Sequence, residues 1–551
     1  MSDGAKPPLD ALLRQASRLQ QAGRLEDARG LYEEVLRREP GQPDALHLLG
    51  VLAARGGDPA GAVELIGQAV AARPANPVYH FNLGNGLKAC GEPERALAAY
   101  RRAIALKADF AKAWLARGNL LFELGRHEDG EAAYRRALEI DPADPAILGR
   151  LANLLERSHR LEEARDALER GLALAPGHPL LNLAAARAER RQGRDAEAMA
   201  RLERLDPGAL NPELKAEYHF ERGQLLDRAG AFGEAFAAFS EMNRQIGATQ
   251  GARGQREAAY RRQIEAVARL AERAGSNLMA GPARRTGQAT PHFLVGFPRS
   301  GTTLIGQILD SHPRVRTLDE TPTVEAMVEA ASRLEGGYPA CLETLEGPQA
   351  ARLRQAYFEV AERVAGPLPG KLLVDKLPLA TVHLALIRQV FPEARILFAL
   401  RHPCDVALSC FMQAVKSHYA PGAFVTLEGV ARLYEDVMTL WQRGAALLPP
   451  GTALVLRYED LVAHPESKIR ELVEFLEIDW DPAMLDFWRH ARAHGGGAVT
   501  PSYGQVTKPI YRSAAYRWRS YAGELASVMD RLRPFVASFG YDEQGNEAKG
   551  G

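Results

Sequence analysis

Glycine returns about every 34 residues through the first part of this 551-residue chain, at Gly23, Gly57, Gly91 and Gly125, and, after a gap at His159, at Gly193. A repeated unit of helix, glycine turn and helix accounts for such a step, because glycine freely enters the left-handed backbone conformation that a tight turn demands. Alanine keeps the same step at Ala28, Ala62, Ala96, Ala164 and Ala198, with Gly130 filling the remaining place, which sets a small residue where two helices must approach closely. Four residues later comes a large side chain, Tyr32, Ile66, Tyr100, Tyr134 or Leu168, and prolines Pro40, Pro74, Pro142 and Pro176 end the second helices. One such unit cannot bury its apolar face alone. The period therefore commits this part of the chain to stacked helix pairs sharing a continuous core.

The period and its positions resemble the tetratricopeptide repeat. The resemblance covers residues 9–245, counting a degenerate sixth unit and a shifted last one around Gly223, Gly230, Ala235 and Phe239. It implies an all-α superhelix whose concave groove takes a peptide or partner protein, with a spacer or dimerisation arm, and hence a homodimer, as the alternative. Residues 246–290, which include Gln250-Gly-Ala-Arg-Gly-Gln255 and the polar run Arg284-Arg-Thr-Gly-Gln-Ala-Thr290, read as a joining helix and linker.

Bulk properties narrow the function. Lys and Arg together number 69, as do Asp and Glu, so no nucleic-acid or membrane-surface role is carried by net charge. No apolar run has the length of a signal peptide or a membrane span, which gives a cytoplasmic expectation. Cys90, Cys341, Cys404 and Cys410 show neither a C-x-x-C pair nor metal-ligand spacing; they read as free thiols, and no metal is expected.

Residues 291–540 read differently. His292-Phe-Leu-Val-Gly-Phe-Pro-Arg-Ser-Gly-Thr-Thr303 is a short apolar strand that breaks into a glycine-bounded turn and opens a helix, a P-loop-like phosphate cradle. Gly296 and Gly301 enclose a loop of the length found in G-x-x-x-x-G-K-[ST], but Thr302 stands where that motif has lysine, and the turn's cation is Arg299. A donor other than a nucleoside triphosphate with Mg²⁺ follows, and a nucleotide kinase or ATPase is disfavoured. Apolar runs at 372–375, 395–400 and 453–456 alternate with helical patterns near 380–391, 403–416 and 425–446, which predicts a mostly parallel sheet covered on both faces. Ligands sit beyond the C-terminal ends of such strands, where Arg299 to Thr303, Lys376, Arg401, Arg457 and Tyr458 fall.

Pro298-Arg-Ser-Gly-Thr-Thr303, Asp319-Glu-Thr321, Asp375-Lys-Leu-Pro378 and Leu400-Arg-His-Pro-Cys-Asp-Val-Ala-Leu-Ser409 together resemble the sulfotransferase family, most closely its protein-tyrosine sulfotransferase branch. The resemblance implies metal-free transfer of a sulfuryl group from 3′-phosphoadenosine 5′-phosphosulfate to a hydroxyl. It places the 5′-phosphosulfate on Arg299, Ser300, Gly301, Thr302 and Thr303, and the 3′-phosphate on Arg401 and Ser409. Glu320 takes the place of the catalytic base, Lys376 and Ser502 those of the groups that stabilise charge on the leaving oxygen, and Tyr458 that of a residue near the adenine. Gln505, Lys508 and Arg517 resemble part of a loop folding over the nucleotide, approached through Gly495-Gly-Gly497. His312 and His383 are rival bases.

Two positions depart from the branch: Pro322 and Gln413 stand where it carries arginines. Both changes remove positive charge near the acceptor and, since the resemblance implies a branch that recognises acidic peptides, weaken the case for acidic tyrosine sites; the acceptor stays open, with a peptide or protein tyrosine the first expectation and a carbohydrate, lipid or small phenol the second. A repeat scaffold whose second part binds nucleotide without reacting is the alternative function.

Overall fold

The computed structural model describes residues 7–158, 160–248, 253–279, 290–366, 370–413, 422–494, 509–510 and 514–541. The chain divides into two compact units, Met1–Ala188 and Glu189–Gly551.

The first unit is built of antiparallel helix pairs, beginning Leu9–Gln21 with Leu25–Arg38 and Pro43–Arg55 with Pro59–Ala72. The periodic glycines do what their spacing predicts: Gly23, Gly57, Gly91 and Gly125 all lie between φ 74° and 86° in the turns. Ala28, Ala62 and Ala96 are fully buried, and Tyr32, Tyr100 and Tyr134 fill the gaps they leave. Each of these tyrosines also satisfies its hydroxyl within its own pair: Tyr100 donates to Asn85 and Tyr134 to Asn119, both at 2.8 Å.

A second set of glycines lies in the middle of the first helices, facing those rings. A Cβ on Gly84 would stand 2.5 Å from Tyr100, and one on Gly118 would stand 2.6 Å from Tyr134 and 3.3 Å from the Gly130 carbonyl. Alanine inside a helix normally stabilises by roughly 0.5–1 kcal/mol over glycine, whereas overpacking a core costs about 1–3 kcal/mol. The clash wins because the ring is buried and hydrogen-bonded. Gly118→Ala is therefore expected to lower the unfolding midpoint, measured by circular dichroism; an unchanged or raised midpoint would show that the tyrosine can move aside.

The second unit opens with the remaining helices of the array, including the pair Pro212–Arg228 and Phe232–Ala248, and the helix Arg253–Ala274. It then forms a five-stranded sheet: β1 (His292–Gly296), β2 (Val315–Asp319), β3 (Leu372–Lys376), β4 (Ile396–Leu400) and β5 (Ala453–Arg457). All neighbours are parallel and the order is β2-β3-β1-β4-β5. The central strands β1, β3 and β4 are nearly continuous apolar runs because helices cover both faces. On one face Phe293 meets Phe391 and Tyr357, and Phe398 stacks on Trp441 at 3.7 Å; on the other, Leu294 and Leu397 pack with Ile305 and Ile308 of the helix Thr302–Asp310.

Strand β2 is not among the apolar runs that the sequence offers. Its composition, Val-Arg-Thr-Leu-Asp, looks polar because it is an edge strand: Val315 and Leu318 are buried while Arg316 is exposed. This strand places the acidic pair beside β3.

Candidate functional site

Because every strand is parallel, the five C-terminal ends share one edge of the sheet. Strand β1 leaves it through Phe297-Pro298-Arg299-Ser300-Gly301 into the helix Thr302–Asp310. Arg299 and Gly301 both take left-handed backbone conformations, at φ 70° and 98°. Glycine is required at 301, since a Cβ there would lie 2.8 Å from the Tyr458 ring. The Ser300 amide closes the turn on the Phe297 carbonyl at 3.2 Å, and the first amides of the helix have no intrahelical acceptor by its geometry. Ser300, Thr302 and Thr303 are buried, and Arg299 Nε donates to Ser409 Oγ at 3.1 Å across the edge.

Next to β1 in the sheet, β3 ends on Lys376, and β2 ends on Asp319, its register partner. The Glu320 amide donates to the Lys376 carbonyl at 2.8 Å and holds Glu320 at φ 49°. The Lys376 ammonium, whose side chain is 1% exposed, donates to Glu320 Oε1 at 2.9 Å and also pairs with Asp319. Burial alone would push this ammonium down, but the Asp319 and Glu320 carboxylates more than reverse that and raise its pKa, so it stays charged. Glu320 keeps about half of its side chain exposed, so it faces outward from an inner charge. Its turn is fixed from below: Thr323 donates to the fully buried Asp375, whose carboxyl burial pushes up to about 7.

On the other side of β1, β4 delivers Arg401. Its guanidinium donates to the Arg299 carbonyl at 3.2 Å and the Ala514 carbonyl at 2.5 Å, lies 4.8 Å above the Tyr458 ring, and stands 3.7 Å from Asp405. Arg401 Nε is buried with no hydrogen-bond partner among the described residues. Asp405 in turn accepts the amides of Tyr516 and Trp518 at 2.6 and 2.8 Å; burial raises its pKa against the opposing pull of Arg401 and those amides. Tyr458, which opens the helix after β5, forms the floor beneath both Gly301 and Arg401.

The structure thus brings together Arg299, Ser300, Gly301, Thr302, Thr303, Glu320, Lys376, Arg401, Ser409 and Tyr458 along one edge. Arg517 adjoins this edge through its neighbours Tyr516 and Trp518, but its own guanidinium pairs with Asp227. Ser502, Gln505 and Lys508 lie outside the described residues. The rival histidines are engaged elsewhere. His312 joins the Asp479 carbonyl at 3.0 Å and the Arg314 amide at 3.2 Å; His383 joins Tyr338 at 2.8 Å, and complete burial lowers its pKa to about 4. Two residues escaped the sequence reading. Asp319 is a second carboxylate on Lys376, visible only once β2 is recognised as a strand. Asp405 is the anchor of the Tyr516–Trp518 backbone, and its place in the first turn of the helix Pro403–Phe411, just after Arg401, was the available signal.

Comparison with known proteins agrees with this architecture. The family model described as Sulfotransferase family matches residues 291–482, and Tetratricopeptide repeat models match 13–77, 81–145 and 125–176. Protein-tyrosine sulfotransferase 1 of Danio rerio is 30% identical over 279 residues, 46% of this chain and 73% of its own length. An uncharacterized protein of Aquifex aeolicus is 31% identical over 254 residues, 44% of this chain but only 32% of its own length. The human protein-tyrosine sulfotransferase 1 is 28% identical over 277 residues, 46% of this chain and 70% of its own. The chain belongs to the sulfotransferase family, with tetratricopeptide repeats preceding the sulfotransferase domain. Among the described residues no helix is long and apolar enough to cross a membrane, and no cluster of His, Cys, Asp or Glu has the arrangement of a metal site.

Proposed function

We propose that the second unit transfers a sulfuryl group from 3′-phosphoadenosine 5′-phosphosulfate to a hydroxyl, with the tyrosine of a peptide or protein as the first choice of acceptor. The observation that carries this reading is the order of functional groups along the sheet edge. From β2 to β5 it runs base, ammonium, anion cradle, guanidinium and aromatic floor: Glu320, Lys376, Arg299 to Thr303, Arg401 and Tyr458. That sequence matches the donor laid along the edge, with its reacting sulfur toward Glu320 and its 3′-phosphate toward Arg401. Two local features fit such a ligand. Gly301 takes the left-handed conformation that turns the loop into the start of the helix Thr302–Asp310, and Arg401 Nε is buried with no hydrogen-bond partner among the described residues.

In this reading Glu320 takes the acceptor's proton as its oxygen bonds to sulfur, and the bond between sulfur and the bridging oxygen breaks. Lys376 places positive charge against the oxygen that leaves on adenosine 3′,5′-bisphosphate, while Arg299 and the helix amides hold the 5′-phosphate. The Ser300 amide is already used within its turn, so the amides after it carry this contact. The missing cations at Pro322 and Gln413 favour an acceptor less acidic than those the tyrosine branch recognises. The repeat array serves to recruit the acceptor or a partner.

The test is the melting shift given by adenosine 3′,5′-bisphosphate against ADP, each with and without Mg²⁺, because a ligand that binds only the folded state raises its stability. A Mg²⁺-independent shift specific to the 3′-phosphorylated nucleotide is expected. A preference for ADP with Mg²⁺ would overturn the donor assignment, and nucleotide binding without transfer to any of a panel of phenols and peptides would favour the scaffold.

A further inference from the structure

The helix Pro403–Phe411 ends in three residues that face two ways. Ser409 accepts from Arg299, and the Cys410 thiol donates to the Pro298 carbonyl at 3.3 Å, so both face the turn after β1. Phe411 faces the helix Phe232–Ala248: its carbonyl accepts from Asn243 Nδ2 at 2.8 Å, and its ring stacks on Phe236 at 4.8 Å. Asn243 is only 2% exposed. A buried amide needs a partner, and this one takes the last carbonyl of the Ser409 helix, which has none within that helix.

The same helix pair reaches the other neighbour of Arg401. Asp227, near the end of the helix Pro212–Arg228, pairs with Arg517 and accepts from Tyr521 at 2.6 Å, while Phe232 packs edge-on against Tyr521 at 5.2 Å. Arg517 lies between the two residues whose amides Asp405 holds, and this stretch supplies the Ala514 carbonyl to Arg401. Both elements flanking the second anion position are thus fastened to one helix pair, Pro212–Arg228 with Phe232–Ala248.

We infer that Asn243 and Asp227 are positioning residues for the 3′-phosphate half of the donor site, so that this helix pair is a working part of the transferase. The inference rests on the donor reading given above. Asn243 sets the height of the helix end that carries Ser409; Asp227 sets the stretch that orients Arg401. Neither touches the nucleotide.

Calorimetric titration of the full-length chain with adenosine 3′,5′-bisphosphate and with adenosine 5′-phosphosulfate, which lacks the 3′-phosphate, tests this. Asn243→Ala and Asp227→Asn are each expected to weaken the bisphosphate about tenfold, the scale of one buried hydrogen bond, and to leave the phosphosulfate within about twofold. Phe239→Leu, which loosens the same helix pair from within, should lower the melting temperature and change neither affinity. Equal weakening of both nucleotides, or of neither, overturns the inference; Asp227→Asn keeps it open to refutation if Asn243→Ala does not fold. An unaltered chain that binds neither nucleotide overturns the donor reading and this inference with it.

Discussion

Glu320→Gln is expected to bind adenosine 3′,5′-bisphosphate as tightly as the unaltered chain and to transfer sulfuryl groups about 10²- to 10⁴-fold more slowly, the usual contribution of a general base. The exchange is nearly isosteric and the amide oxygen can still accept from Lys376, so the turn should survive. That turn has reason to be held: a non-glycine residue in the left-handed region costs about 1–3 kcal/mol, and the structure meets it with the Glu320 amide bond to the Lys376 carbonyl and with Thr323 anchored on Asp375. What changes is the proton acceptor alone. Single-turnover transfer to a phenolic acceptor measures it, and a wild-type rate in the variant would remove Glu320 from the mechanism.

Lys376→Met should be nearly as damaging to turnover, with a loss of about 10²- to 10³-fold, comparable to removing one preorganised donor from developing charge. Its effect on stability is the more discriminating number. Breaking a buried ion pair by removing one partner typically costs about 3–5 kcal/mol, because the other charge is stranded. Here the stranded groups are Asp319 and Glu320, whose side chains are 29% and 48% exposed and can turn to water. Methionine also fills the apolar volume of the lysine stem, so the expected stability loss is only about 1–2 kcal/mol, below the fully buried figure. Denaturant unfolding would check this. A variant that loses activity because it is unfolded would contradict the view that the carboxylates face solvent. Arginine should not rescue turnover, since a planar guanidinium does not fit a side-chain site this closed.

Much of this was legible from residues alone, for identifiable reasons. Backbone-dictated features read well: Gly23, Gly57 and their successors mark turns that only glycine enters easily, and the Gly296 to Thr303 cradle is local in sequence. The strands β1, β3 and β4 were visible because burial on both faces makes apolar runs, and β5, an edge strand, because it is apolar throughout Ala453 to Leu456 although Val455 is exposed. Strand β2 was not, since half of its residues face away from the core and two are charged. Missing it concealed the partnership of Asp319 with Lys376, a contact set by register between distant segments. The ring-facing glycines Gly84 and Gly118 carry no turn signal of their own, and their role appears only when Tyr100 and Tyr134 are seen above them. Arg517 matched a nucleotide-loop pattern, yet its guanidinium pairs with Asp227, a partner no local motif announces.

The left-to-right arrangement of the sheet bears on how the protein becomes competent. Neighbours in the order β2-β3-β1-β4-β5 are drawn from separated stretches between residues 292 and 457, and every pairing is parallel, so each needs a long crossover before it can form. No two adjoining groups of the edge come from one hairpin. Glu320, Lys376, the Arg299 to Thr303 turn and Arg401 therefore come onto one edge only when the pairings of β2 with β3, β3 with β1 and β1 with β4 have all formed.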